Sequence, residues 1–240
     1  MRKIVRGVLI TLLIVVTLVA LFLFRWFYRE NRAVKMAKEY LKEKYSQPMI
    51  YEGVRYPVVD PAVYHVYFSP SDNREIIFEV LVQTDLSMDS TCKIDNENVQ
   101  SADNYYIQFF RYALMNDLSP DVRKVFGENA DVNVVTSSAF YVYCMPEKLN
   151  DKLSLDEMEN IYDKYRIYIL IDEIYPDEEA LRKLSEETWE FICMLKEKDY
   201  IPVEFGVQYL DESGNMKHIR FGDISTIDSE EQVEKVLLSE

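Results

Sequence analysis

The sequence predicts an α+β protein: an N-terminal transmembrane helix followed by an ectodomain of helices packed on antiparallel sheet, in two sub-domains. Three observations carry this. Gly7 to Phe24 is an uncharged run of eighteen residues. Segments such as Glu75 to Gln83 alternate apolar and polar residues with a period of two, the mark of a half-buried strand. Between them lie stretches with helical spacing and recognisable caps.

At ~1.5 Å of rise per residue the apolar run makes a helix of about 27 Å, close to the ~30 Å hydrocarbon core of a bilayer. A cleaved signal peptide would show a shorter apolar core and small residues before the cut, but here Leu18 precedes Ala20 and Leu-Phe-Leu-Phe follows. Arg25 can snorkel, and Trp26, Phe27 and Tyr28 supply an interfacial aromatic belt. The chain is therefore divided into a basic segment (1–6), a single-pass anchor (7–28) that meets the lipid bilayer, a helix-plus-antiparallel-sheet domain (33–146) and an acidic α+β domain (147–240). Arg2, Lys3 and Arg6 precede the span, while Arg25, Arg29, Arg32, Lys35 and Lys38 follow it. Counting alone favours a cytoplasmic body. Long domains cross largely regardless of charge, however, and a short basic N-terminus starts an outward-facing signal anchor, so the body is expected outside the cell membrane.

Ala33 to Tyr45 is amphipathic, with Val34, Ala37, Leu41 and Tyr45 on one face, and is expected to resume the anchor helix after a short break. Gln47-Pro48 ends it. Strands are expected at 49–56, 63–68 and 75–83. Pairing Val66 with Phe78 leaves the loop Ser71 to Asn73, places Asn73 in the left-handed position, and sets His65 opposite Glu79. Asp85 to Gln100 reads as a loop. Its Asp95-Asn96-Glu97-Asn98 run lacks the glycine and terminal glutamate of a helix–loop–helix calcium site. Ala102 to Asn116 is a helix with Tyr105, Phe109 and Tyr112 on one stripe. A second, short helix is expected to start at Ser119-Pro120 and stop at Gly127. Val132 to Cys144 reads as a strand and Met145 to Leu155 as the seam.

Ser154 to Glu157 has the form of a capping box for a helix reaching about Tyr165. Arg166 to Ile171 is a buried strand. Asp177 caps a helix to about Lys198, with Leu181, Leu184, Thr188, Phe191, Ile192 and Leu195 inward and Cys193 beside them. The acidic Asp177-Glu178-Glu179 run suits the positive end of that helix. A hairpin pairs Val207 with Ile219 and Phe205 with Phe221 around Glu212-Ser213-Gly214, and sets His218 opposite Gln208. Ser229 to Gln232 is a further capping box.

The chain carries 27 basic and 42 acidic residues, net −15. The first 28 residues hold four basic and no acidic side chains, and from Glu147 onward there are 25 acidic and 11 basic ones. Such a body repels phosphates, so nucleic acid is excluded as a partner. Cys92, Cys144 and Cys193 are too few and scattered for a disulfide framework or, with two histidines, for a zinc site. One disulfide would leave one cysteine over.

The segments AKEYLKEKY after the anchor, YHVYF, EIIFEVLV, DNYY and FGENADVNV lie within residues 33–136. With them the chain resembles uncharacterised single-pass membrane-anchored proteins of Gram-positive bacteria whose extracytoplasmic part packs a helix on a small antiparallel sheet. The resemblance implies anchor and fold, and no catalytic or binding residue comes with it.

No phosphate loop, G-x-S-x-G, H-E-x-x-H or Walker sequence occurs. A catalytic triad would need His65 or His218, both on strands without a serine partner. No catalytic, metal-ligating or cofactor-binding residue is assigned, and no cofactor is expected. The functional expectation is a binding or protein-interaction module of the cell envelope, its eighteen tyrosines suiting an interface, with an envelope protein or peptide as partner. The alternative is an envelope hydrolase using paired carboxylates.

Overall fold

The structure, a computed structural model, describes residues 2–55, 63–83, 94–95, 98–99, 103–136 and 165–239, with side chains from residue 10 and only the backbone at 94–95 and 98–99. Expectations for Cys92, Cys144, the later part of the strand expected at Val132 to Cys144, and the Ser154 capping box lie outside these residues. By its internal contacts the chain divides at Tyr105/Tyr106 into two compact units. The acidic composition shift at Glu147 had suggested a later seam. Strand pairing sets the boundary earlier, because the segment from Ala130 pairs with the one from Tyr165.

In the first unit, helix α1 runs without interruption from Arg2 to Lys44. The expected break is absent because nothing between Arg25 and Arg32 opposes helix: no proline or glycine occurs there. Ala33, Ala37, Tyr40, Leu41 and Tyr45 are buried against a sheet of three antiparallel strands, β1 (Met49–Arg55), β2 (Val63–Pro70) and β3 (Phe78–Gln83), in that order. Alternation works as the sequence implies. Tyr64, Val66 and Phe68 of β2 are buried, as are Phe78, Val80 and Val82 of β3 and Ile76 before it.

The register differs from the expected one by two residues: Val66 pairs with Val80, and Phe68 with Phe78. A shift of two keeps every side chain on its face, so periodicity cannot detect it. The connection is correspondingly longer, and Asn73 closes a local turn by accepting from the Glu75 amide at 3.1 Å without a positive φ. The loop expected at 85–100 contains a two-residue ladder, β4 (Ile94–Asp95) with β5 (Asn98–Val99).

A buried carboxylate holds α1 to the end of this sheet. Asp103 bridges to Val80 and accepts from the Tyr40 hydroxyl (2.6 Å), the Tyr45 hydroxyl (2.8 Å), Lys44 Nζ (2.7 Å) and the Tyr105 amide (3.0 Å). Four donors on one ionised group satisfy the demand of a buried charge for partners.

In the second unit, α2 (Tyr105–Phe126) is one helix containing Pro120, where two were expected. Phe110, Leu114, Leu118, Val122 and Phe126 are buried at every fourth position across the proline. That apolar row outweighs the backbone hydrogen bond Pro120 cannot make. Ser119 does not cap; its hydroxyl donates to the Met115 carbonyl at 2.6 Å. The same row replaces the expected Tyr105, Phe109 and Tyr112 stripe, of which only Tyr105 is buried. Gly127, at φ 97°, ends the helix as expected.

Four strands form the second sheet in chain order: β6 (Ala130–Thr136), β7 (Tyr165–Ile174), β8 (Glu204–Leu210) and β9 (Met216–Gly222). The outer pairs are antiparallel, but β7 and β8 run parallel. The sheet is thus mixed where a purely antiparallel one was expected. The reason is α3 (Glu178–Glu197), a crossover long enough to return the chain to the same end. Asp177 caps α3 as expected, accepting from the Ala180 amide at 2.9 Å. Leu184, Ser185, Thr188, Phe191, Ile192 and Leu195 are buried, with Leu181 only partly so. Phe191 links the layers, its ring 5.6 Å from Phe126 and 5.9 Å from Phe205.

In the β8–β9 hairpin Val207 faces Ile219 as expected, but a bulge after Phe205 places Gly222 opposite it, and Phe221 stacks on Phe205 at 5.8 Å. The Asp211 amide donates to the Asn215 carbonyl at 2.9 Å, closing the expected loop of Glu212, Ser213 and Gly214, with Gly214 at φ 73°. The chain ends in a 3₁₀ turn and α4 (Glu230–Leu237). Ser229 occupies the cap position of α4 without a side-chain cap bond, and Gln232 Oε1 accepts from the Asp228 amide at 2.7 Å, so half of the expected capping box forms one residue early.

Candidate functional site

The two histidines lie in different units, each beside a carboxylate. In the first, His65 Nδ1 is 3.1 Å from Glu79 Oε1. The pair forms diagonally, since Leu81 is the residue directly opposite His65. It sits on the face of the sheet away from α1, and Tyr67 is the direct neighbour of Glu79.

In the second unit, the sheet face opposite Phe205 and Val207 carries a polar cluster around Glu204. The Tyr168 hydroxyl donates to Glu204 Oε1 at 2.6 Å, and Arg166 and Arg220 place their Nε atoms 3.7 and 3.6 Å from the same carboxylate. Gly206 makes this arrangement fit: a β-carbon there would meet Cδ1 of Tyr168 at 2.8 Å. His218 packs edge-on to the Tyr168 ring, centroids 5.2 Å apart.

Burial, then the Glu204 carboxylate, raises the Tyr168 phenol above its usual range. Burial and then Arg220 lower His218, against a smaller opposing pull from Glu204. At neutral pH the phenol is therefore protonated and the imidazole uncharged. His218 Nε2 is buried and makes no hydrogen bond. Cys193 is unpaired among the described residues, and burial, its largest influence, raises its thiol further from the reactive thiolate form. No side chain in the Glu204 cluster is a nucleophile held by a base, so acyl-transfer chemistry has no starting point there. Among the described residues no group of three or more His, Cys, Asp and Glu side chains could hold a metal ion.

A groove of about 640 Å³ opens where β7 and β8 end. Ile174 and Leu210 are paired at that end, and the chain then leaves each strand through a short acidic segment, Tyr175 to Glu178 and Asp211 to Ser213. Tyr175 and Tyr209 meet edge to face at 5.5 Å, while Leu181, Leu237 and Leu238 give the groove apolar walls. Its charged lining is Asp177, Glu178, Asp211 and Glu212 against Lys217. The amides of Ser213 and Asn215 both donate to Asp211 Oδ1 at 2.9 Å. Hydrogen bonding, chiefly from Asn215, keeps Asp211 below its ordinary range and hence ionised.

The sequence had shown Asp177 as a cap and Glu212 as a loop residue, without bringing them together. Ligands in open α/β sheets bind beyond the carboxyl ends of parallel strands. The signal lay in the strand–helix–strand order of residues 165–210. Reading the sheet as antiparallel concealed it.

No family model matches the chain, and no curated protein matches it in sequence. One solved structure is similar: a DUF5037 family protein from Ruminococcus gnavus ATCC 29149, at 12% identity, TM-score 0.49, over 87% of this chain and 99% of that one. At that score the likeness carries no functional argument.

Proposed function

We propose that this is a single-pass membrane protein of the cell envelope, held by residues 7–28, whose extracytoplasmic body is a protein-interaction module. The observation that carries the reading is a change of environment along one helix. From Ile10 to Phe24 the large apolar side chains of α1 are 48% to 72% exposed, whereas Ala33 on the same helix is 0% exposed. Apolar surface of that extent calls for a solvent other than water. Arg25 and the Trp26-Phe27-Tyr28 belt stand where headgroups would begin. The resemblance to anchored proteins of Gram-positive bacteria points the same way. The Glu204 cluster has polar partners but no activated nucleophile, and the acidic groove is a recess suited to binding.

Three experiments test the parts separately. The full chain should stay in the membrane pellet after alkaline extraction, and release into the supernatant would remove the anchor. Protease added to intact cells should digest the body; full protection would reverse the orientation. Replacing His65 and His218 together by Gln should leave the cellular role intact, whereas a folded but inactive double variant would favour an enzyme.

A further inference from the structure

The groove at the ends of β7 and β8 is apolar in its walls and acidic at its rim, and this combination selects a class of occupant. Glu178 is committed to Arg182 at 2.9 Å, and Asp211 is committed to its own turn. Asp177 uses Oδ1 on the Ala180 amide. Glu212 makes no ion pair among the described residues. Lys217, the one cation in the lining, is close enough to Asp211 to help hold it ionised. Asp177 also sits at the positive end of α3, yet four acids against one lysine leave the lining negative overall. The C-terminal end of α4, which contributes Leu237 and Leu238, adds the negative pole of a helix. Burial, then Glu187 and Glu173, push the Tyr175 phenol far up, so Tyr175 is neutral, and the Tyr175–Tyr209 pair forms a buried floor beneath the groove.

We propose that this groove receives a basic peptide segment of another protein, with a lysine or arginine head at the Asp177 and Glu212 carboxylates and its aliphatic stem along Leu181 and Leu238. The site rests on the interaction-module reading and gives that reading a partner chemistry. A long cationic side chain matches both halves of the lining, since its stem is apolar and its head charged. Anionic partners are repelled, and a purely apolar one would leave the carboxylates dehydrated and unpaired. The volume is of the size that takes a few side chains of an extended peptide.

The test uses the full chain in nanodiscs of zwitterionic lipid and a fluorescent peptide of alternating lysine and leucine. Its counterpart with glutamine for lysine serves as the uncharged probe. Saturable binding of the lysine peptide alone is expected, weakening as salt rises. The double variant Asp177→Asn, Glu212→Gln should weaken it by about tenfold. Asparagine still caps α3, and circular dichroism checks that the variant is folded. Glu128→Gln, an exposed acid outside the groove, should change nothing.

Several results would overturn the assignment. One is equal binding by the double variant, and another is equal loss in Glu128→Gln. Displacement by spermidine as readily as by unlabelled peptide would mark a general polycation effect, and self-association blocked by the same substitutions would make a second copy the occupant. None of these removes the interaction-module reading, which stands or falls on the histidine double variant in cells.

Discussion

A β-carbon at Gly206 would lie 2.8 Å from Cδ1 of Tyr168 and 2.9 Å from the carbonyl oxygen of Ile219. The ring can turn aside, but the carbonyl belongs to the β8–β9 ladder and cannot move cheaply. Gly206→Ala is therefore expected to destabilise the second unit by about 1–3 kcal/mol, read from urea unfolding. Unchanged stability would mean that the bulge beside Gly206 absorbs the methyl group. His218 adds a dependence on pH. Its folded-state pKa lies below the ordinary value of about 6.5. The stability it contributes is thus present above that value and lost as pH falls through the folded-state one. Arg220 adds to the cost of a charge there and Glu204 opposes it. Wild type should lose more thermal stability than His218→Gln between pH 7.5 and 5. Parallel curves would show that the imidazole titrates alike in the folded and unfolded chain.

At the scale of elements, α1 is tied to the first sheet through Asp103. The Asp103 side chain is 1% exposed and pairs with a Lys44 side chain that is 24% exposed. Removing the acid would take a shared acceptor from four donors: the Lys44 ammonium, the Tyr40 and Tyr45 hydroxyls and the Tyr105 amide. Asp103→Ala should cost about 3 kcal/mol or more, measured as a lower unfolding midpoint. A loss under about 1 kcal/mol would mean that water replaces the carboxylate.

This network also shows what was legible in the sequence. Amphipathic spacing found the buried face of α1 and alternation found β2 and β3, since both follow from burial on one side. Asp103 stands beside a polar loop, and only the fold brings it to Tyr40, 63 residues away. Pro120 misled for the opposite reason: its local preference to start a helix was overridden by five buried residues around it. The groove escaped notice because its two acidic segments meet only when β7 and β8 lie parallel. Local rules thus recovered elements and caps, while register, helix continuity and the groove depended on pairings distant in sequence.

At the scale of the molecule, α1 joins an exposed apolar part to a part buried on the first sheet without changing its secondary structure. Its 43 residues span about 64 Å at ~1.5 Å per residue. The apolar part ends at Phe24, and packing against the first sheet begins at Ala33, about 14 Å further along the axis by the same rise. The helix continues through that interval, so the exposed apolar part and the part packed on the first sheet belong to one element. Two truncations separate the helix's roles. A chain starting at Glu30 keeps Ala33, Ala37, Tyr40, Leu41 and Tyr45, loses the exposed apolar run, and should be monodisperse without detergent. It should unfold at the same temperature as the full chain, with no metal or cofactor added. A chain starting at Ser46 loses all five of those buried residues together with Lys44, exposing the helix-facing side of β2 and β3 and leaving Asp103 buried without its cation. It should lose the cooperative unfolding of the first unit, or aggregate, because the apolar face that α1 covers would be left bare. If the two fragments proved equally stable, residues 33–45 would be only a spacer.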